Sequence, residues 1–163
     1  MQFNQEISQY HQKVRVRVCG LLLLNDQLLL LKHNTIGKKG YLWSPPGGGI
    51  EFGENATSSL EREFLEETNI QVAVDEYLFT NEYKDSHLHA IELFFRVSYV
   101  SGKLTLGHDP ELSGENQILT DAKFFSSKEL AAMDADEIHN AFRYCHQPLE
   151  LLNLKGFYFF ENI

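Results

Sequence analysis

The feature that most constrains this chain is a change in hydrophobic period. Residues 14–33, "VRVRVCGLLLLNDQLLLLKH", alternate or run apolar as strands do, with Val14, Val16 and Val18 on one side and Arg15 and Arg17 on the other. From Asn55 the recurrence becomes four residues, Ala56, Leu60 and Phe64, as an amphipathic helix requires, with Asn55 placed to cap it and Asn69 to stop it in a left-handed conformation. Strand patterns return in "IQVAVDEYLFTNEY" and "LHAIELFFRVSYV". The turns "ND" and "KDSH" make each strand pair a hairpin. Between them, "NTIGKKGYLWSPPGGG" has the glycine and proline density of a loop, interrupted by a short apolar "YLW" and expected to move around residues 37–40. Downstream, "LGHDPELSGENQ" reads as a loop, "DAKFF" as a short strand and "SSKEL" as a capping box from Ser126 to Glu129. Helical pattern then runs to about Cys145 with a break near Asp134, and "GFYFF" forms a last strand. No repeat or linker divides the chain, so residues 1–163 are expected to form one α+β domain.

Composition narrows the function classes. A formal net charge of -9 argues against binding a nucleic-acid backbone, because that affinity comes from lysine and arginine neutralising phosphates. A small anionic ligand would need local help, such as a metal ion. The two cysteines, Cys19 and Cys145, lack disulfide-framework or metal spacing, so packed thiols in a reducing cytoplasm are expected. The apolar runs fall far short of the ~20 residues a membrane span requires, and "MQFNQEISQYHQK" has no signal-peptide core. A soluble cytoplasmic protein follows, with a homodimer left open.

The helix breaks a local rule. Glu63, Glu66 and Glu67 crowd its C-terminal half, within an arc of about 100°. There the macrodipole is already negative, and like charges three or four residues apart cost about 0.2–0.5 kcal/mol each. A divalent cation would reverse both penalties. Oxygen-only ligands favour Mg²⁺ or Mn²⁺ over Zn²⁺. Taken alone, a solvated helix face explains the glutamates equally well.

The flanking residues tilt that balance. Gly48, Glu54 and "REFLEETNI" at residues 62–70 match in type and spacing the box of the Nudix hydrolase family, which the chain therefore resembles: a glycine, five residues, a glutamate, seven residues, then REUXEEXGU, where U is apolar. Asn69 stands where the family has glycine, a mild departure because asparagine tolerates the left-handed stop next best. "WSPPGG" and "DAKFFSSKEL" also look like the family's flanks. The resemblance implies an α/β/α sandwich around a mixed sheet, with the box as a loop, helix and loop. It implies that Glu63, Glu66 and Glu67 hold Mg²⁺ or Mn²⁺ with the carbonyl of Gly47, while Gly48, Glu54 and Arg62 shape and brace the site, Glu66 and Arg62 serving catalysis. The activity implied is hydrolysis of a P–O–P bond in a nucleoside diphosphate linked to another group X, with water as nucleophile. A further loop glutamate, Glu115 or else Glu111, is the candidate extra base or ligand. The runner-up is a non-catalytic nucleotide-sensing Nudix domain, disfavoured by the intact acidic triplet.

Other signals are weaker. Arg15, Arg17, Lys38 and Lys39 are candidate phosphate contacts, with solvated charge an equal alternative. Trp43, Phe52 and Tyr83 are candidates to stack a base, although core packing is the commoner fate of such residues. His87 and His89 are placed on one strand face, where a zinc pair is outweighed by ordinary surface histidines. "GKKG" lacks the residues of a P-loop. The group X stays open. No proline follows the box before Pro110, unlike the pattern of ADP-ribose pyrophosphatases, and the arginine-rich motif of coenzyme A pyrophosphatases is absent.

Overall fold

The computed structural model describes residues 12–108 and 117–161. The first alternating segment forms β1 (Val14–Leu24) and β2 (Gln27–Asn34), an antiparallel hairpin. Asn25 and Asp26 turn it with φ of 50° and 60°, the doubly positive turn whose twist matches paired strands. Then come β3 (Tyr41–Ser44), β4 (Gly47–Gly49) and helix α1 (Ala56–Thr68). The second hairpin is β5 (Ile70–Lys84) with β6 (His89–Gly102). After β7 (Leu119–Ser126) and the short α2 (Ser127–Ala131), two 3₁₀ turns at Asn140–Tyr144 and Pro148–Asn153 lead into β8 (Gly156–Glu161).

The strands join in the order β3-β2-β1-β6-β5-β8, with β4 added to β1 and β7 to β2. The sheet is mixed: β1 runs parallel to β6 and β5 to β8, while the hairpin pairs are antiparallel. On one face Leu60 and Phe64 of α1 are fully buried among Val18, Leu22, Val72, Phe95 and Val97. Burying a side chain of that size contributes about 1.5–3 kcal/mol, which fixes the helix on the sheet and orients its glutamates. On the other face Leu21, Phe79 and Phe94 pack against Leu130, Ile138, Ala141, Leu151 and Leu152. Cys19 and Cys145 are free thiols. Among the described residues, no helix is long and apolar enough to cross a membrane.

Two expectations are corrected. The stretch around "YLW" and "GGG" contains β3 and β4, too short to show periodicity in the sequence. The helical pattern after Ser126 stops at Ala131, ahead of the break expected near Asp134, and resumes only as the 3₁₀ turn at Asn140–Tyr144 instead of as α-helix. Asp134 accepts the backbone N–H of Asp136, Glu137 accepts that of Asp134, and the chain then pairs with Trp43 through Trp43 N–H to Glu137 O and His139 N–H to Trp43 O, each 2.8 Å. Bonds to a neighbouring strand replace those of a helix.

Candidate active site

Helix α1 is fixed at both ends. The Asn55 side chain accepts the Ser58 N–H at 2.9 Å, and Asn69 closes the helix at φ 58° with its N–H on the Leu65 carbonyl. The last turn gains two more donors from the segment after β6: Thr105 N–H binds Thr68 O at 3.0 Å and Gly107 N–H binds Glu67 O at 2.8 Å. These N–H groups satisfy carbonyls that a helix end leaves open. They also offset the negative pole on which Glu66 and Glu67 sit. The approach is close enough that a Cβ on Gly107 would lie 1.7 Å from the Glu66 carbonyl oxygen.

Arg62 is the hub of the side chains. Its Nε and Nη2 form a fork on Glu54, at 2.9 and 3.1 Å, and its Nη1 reaches Glu63 at 3.0 Å and Glu66 at 3.1 Å. The hydrogen bonds from Arg62 hold the Glu54 carboxyl down to about 2 against the small opposing effect of burial. Glu54 lies in the loop ahead of the helix, so the fork ties that loop to α1. One guanidinium thus bonds three carboxylates, with Glu51 a fourth at 4.0 Å.

Glu67 and Glu63 face the glycine strand. The Gly47 N–H donates to Glu67 Oε2 at 3.0 Å, and a Cβ on Gly48 would lie 2.3 Å from Glu63 Oε1. Only a residue without a side chain leaves that carboxylate in place. Glu63 and Glu67 are buried, while Glu66 is partly exposed. Among the described residues no three Asp, Glu, His or Cys side chains converge tightly enough to hold a metal ion as they stand. The reason lies in their partners: Glu63 and Glu66 are drawn to Arg62, and Glu67 to Gly47. The donor set itself, carboxylates on one helix face beside the backbone of a glycine strand, fits a hard divalent ion. The carboxylates of Glu63 and Glu66 would only have to turn from Arg62.

On β1, Arg17 lies beside β4 in register with Gly49. Its Nη1 is 3.6 Å from Glu92 Oε1, longer than a good hydrogen bond, and its Nε is buried without a hydrogen-bond partner. Burial disfavours its charge, but Cys19, Glu92, Glu67 and Glu63 outweigh that and raise its pKa. The guanidinium therefore feels Glu92 together with Glu67 and Glu63 of α1. Glu92 on β6 is 4% exposed and richly partnered: Asn81 donates to Oε2 at 2.8 Å, and His139 Nε2 lies 3.0 Å from the same oxygen. Burial pushes the Glu92 carboxyl up, yet His139, Arg17 and Asn81 hold it down at about 2. His139 Nδ1 accepts the Ala141 N–H at 3.1 Å, which leaves Nε2 to carry the proton toward Glu92. Tyr144 in turn donates to Asn81 Oδ1 at 2.6 Å. Sequence reasoning missed this group. Its one signal was Glu92 falling, by strand alternation, on the core side with Phe94.

The remaining candidates are dispersed. Lys39 Nζ is 3.1 Å from both Asp134 and Glu137, and Lys38 is 3.7 Å from Asp136, so these lysines pin their loop to the segment after α2. Both lysines expected as phosphate contacts are thus engaged by carboxylates. Tyr83 donates to Asp85 and lies parallel to Phe160 with ring centres 5.9 Å apart. Trp43 is in the core edge-on to Phe125, whereas Phe52 is fully exposed. His87 lies in the β5–β6 turn and only His89 is in the strand, where it meets Glu82 at 2.8 Å, so the two histidines do not share a strand face. Glu111 and Glu115 lie outside the described residues.

A glycine strand, an arginine-braced glutamate helix and a mixed sheet between two helical layers define a class that comparison with known proteins identifies. The NUDIX domain model matches residues 13–144, and the chain belongs to the Nudix hydrolase family. It is 28% identical over 123 residues to an ADP-ribose pyrophosphatase of Methanocaldococcus jannaschii, covering 74% of this chain and 67% of that protein. It is 35% identical over 82 residues to a MutT-like protein of Streptomyces ambofaciens, spanning about half of each, 50% and 49%. A Nudix hydrolase structure from Nitrosomonas europaea superposes with a TM-score of 0.64 at 21% identity over 91% of this chain and 79% of that one, a likeness of fold.

Proposed function

We propose that this protein is a Mg²⁺- or Mn²⁺-dependent hydrolase of a nucleoside diphosphate linked to a second group X. The observation that carries the reading is the crowding of carboxylates at α1: Glu54, Glu63 and Glu66 all gather on Arg62, with Glu67 beside them on the Gly47 N–H. A bound divalent ion supplies neutralisation of the diphosphate oxygens and a lowered pKa for the attacking water. Glu63, Glu66 and Glu67, with the carbonyl of Gly47, would hold it. Arg62 and Glu54 keep the loop and helix in register, and Gly48 leaves room for Glu63. In the reaction water oxygen bonds to one phosphorus, the bridging oxygen leaves with the other phosphoryl group, and the water proton passes to a carboxylate. Glu66 is the candidate acceptor on the helix, and Glu115 or Glu111 the candidates from the later loop. Arg17, beside the glycine strand and 3.6 Å from Glu92, is the candidate phosphate contact.

The likeness to an ADP-ribose pyrophosphatase supports including ADP-ribose among the substrates, although the proline pattern of that subfamily is missing. Nucleotide sugars, dinucleoside polyphosphates and NTPs complete the set. The test is a product-release screen over these four groups with Mg²⁺ and with Mn²⁺. Metal-dependent cleavage of at least one diphosphate linkage supports the reading. Absence of turnover together with a nucleotide-induced rise in melting temperature would instead favour the sensing domain.

A further inference from the structure

Glu92 is an unusual residue to bury: a carboxylate inside a sheet face, where desolvation is costly unless partners replace water. Its Oε2 has two such partners, Asn81 and His139, and each is itself held, Asn81 by Tyr144 and His139 by the Ala141 N–H. Its Oε1 faces Arg17 Nη1 at 3.6 Å. The anchoring is thus one-sided: the carboxylate is fixed from the interior, and its other oxygen meets an arginine whose Nε remains buried and unpartnered. An arginine fork serving only the fold would be expected to close on its partner, as Arg62 does on Glu54 at 2.9 and 3.1 Å. Arg17 instead holds its nearest carboxylate loosely, with 29% of its side chain exposed. Because β4 pairs with β1 at this point, Arg17 stands next to the glycine strand that also touches Glu67 and Glu63.

We propose that Glu92 is a positioning residue, which, clamped by Asn81 and His139, aims the Arg17 guanidinium at a phosphoryl group of the substrate. The assignment rests on the diphosphate-hydrolase reading above and names the lever by which the sheet interior sets substrate affinity. Glu92 touches no substrate. Arg17 supplies planar, forked donors that match two phosphate oxygens, and Glu92 limits where that fork can point. Shortening or neutralising Glu92 releases the arginine, so binding weakens through Arg17 alone.

The test is a double-mutant cycle read by binding, with inorganic pyrophosphate in the presence of Mg²⁺ as probe and calorimetry as the measurement. Wild type, Arg17→Met, Glu92→Gln and the double variant are compared, each checked by its melting curve. Arg17→Met is expected to weaken pyrophosphate binding by about tenfold or more, the loss of a charge-assisted hydrogen bond of about 1.5–3 kcal/mol. Glu92→Gln should weaken it several-fold in the wild-type background and not at all in the Arg17→Met background. Glu92→Asp, which keeps the charge but retracts it, should behave like Glu92→Gln and serves if the amide variant does not fold. Equal losses from the Glu92 change in both backgrounds, or unchanged binding in Arg17→Met, overturn the proposal. Turnover of Glu66→Gln, measured alongside, tests the hydrolase reading separately: full activity there sinks that reading whatever the cycle shows, and its loss leaves the cycle to decide on Glu92.

Discussion

Arg62 and Glu92 are each the centre of a charged cluster, but their balances are opposite. Around Arg62 one cation serves three close carboxylates, at the partly exposed edge of α1. Around Glu92 one carboxylate is served by an amide, an imidazole and an arginine, in the interior. The first cluster crowds its carboxylates on one guanidinium, and it is there that a cation is proposed to bind. The second is complete and gains nothing from one. On the proposed reading, acidity alone does not mark a metal site; crowding of carboxylates does, together with access to solvent.

The comparison can be broken most severely at the first cluster. Glu66→Gln is expected to lower kcat by at least ~10²-fold, since even residues that only support metal ligands are worth 10–100-fold. Steady-state kinetics at saturating Mg²⁺ measures it, and activity near wild type would reduce Glu66 to a partner of Arg62. A smaller effect sharpens how the helix is held. Gly107→Ala drives a methyl group into the Glu66 carbonyl and should cost about 1–3 kcal/mol, the usual range for overpacking. Urea titration would show it, accompanied by reduced turnover because the last turn carries Glu66 and Glu67; stability unchanged from wild type would mean the loop simply moves aside.

The smallest effect is a pH dependence. The Glu54 carboxyl titrates near 2 in the folded protein, below the ordinary value of about 4.3 for a free glutamate. A depressed carboxylate contributes stability that is present above the unfolded pKa and lost as pH falls through the folded one. Melting temperature should therefore fall between about pH 4.5 and about pH 2, and Glu54→Gln should flatten part of that limb. An unaltered acid limb in Glu54→Gln would show that the fork to Arg62 contributes no measurable stability.

Much of the fold was legible because its cues are local. The turn at Asn25 and Asp26, the caps at Asn55, Asn69 and Ser126, and the four-residue spacing of Leu60 and Phe64 each depend on a few neighbouring residues. The strands β3 and β4 were not legible, since three or four residues carry no period and they exist only through pairing with β2 and β1. The glutamate helix could be read from spacing, and its Arg62 brace from the family resemblance of the same short segment. Glu92, Asn81 and His139 come from β6, β5 and the chain before a 3₁₀ turn, and only the folded sheet brings them to Arg17. The carboxylates that engage Lys38 and Lys39 were hidden for the same reason: Asp134, Asp136 and Glu137 are distant in sequence.

The central claim, that α1 holds a divalent ion because its carboxylates outnumber their donors, is tested most directly by the melting temperature of Glu67→Gln with and without metal. Glutamine retains an oxygen for the Gly47 N–H but removes a charge, so the metal-free variant should melt at or slightly above the wild-type temperature. Millimolar Mg²⁺ or Mn²⁺ should raise the wild-type temperature, through stabilisation that reaches about 2.7 kcal/mol at a hundredfold excess over Kd. The variant should lose most of that rise. An equal metal-induced rise in both proteins, or no rise in either with both ions, would contradict the account.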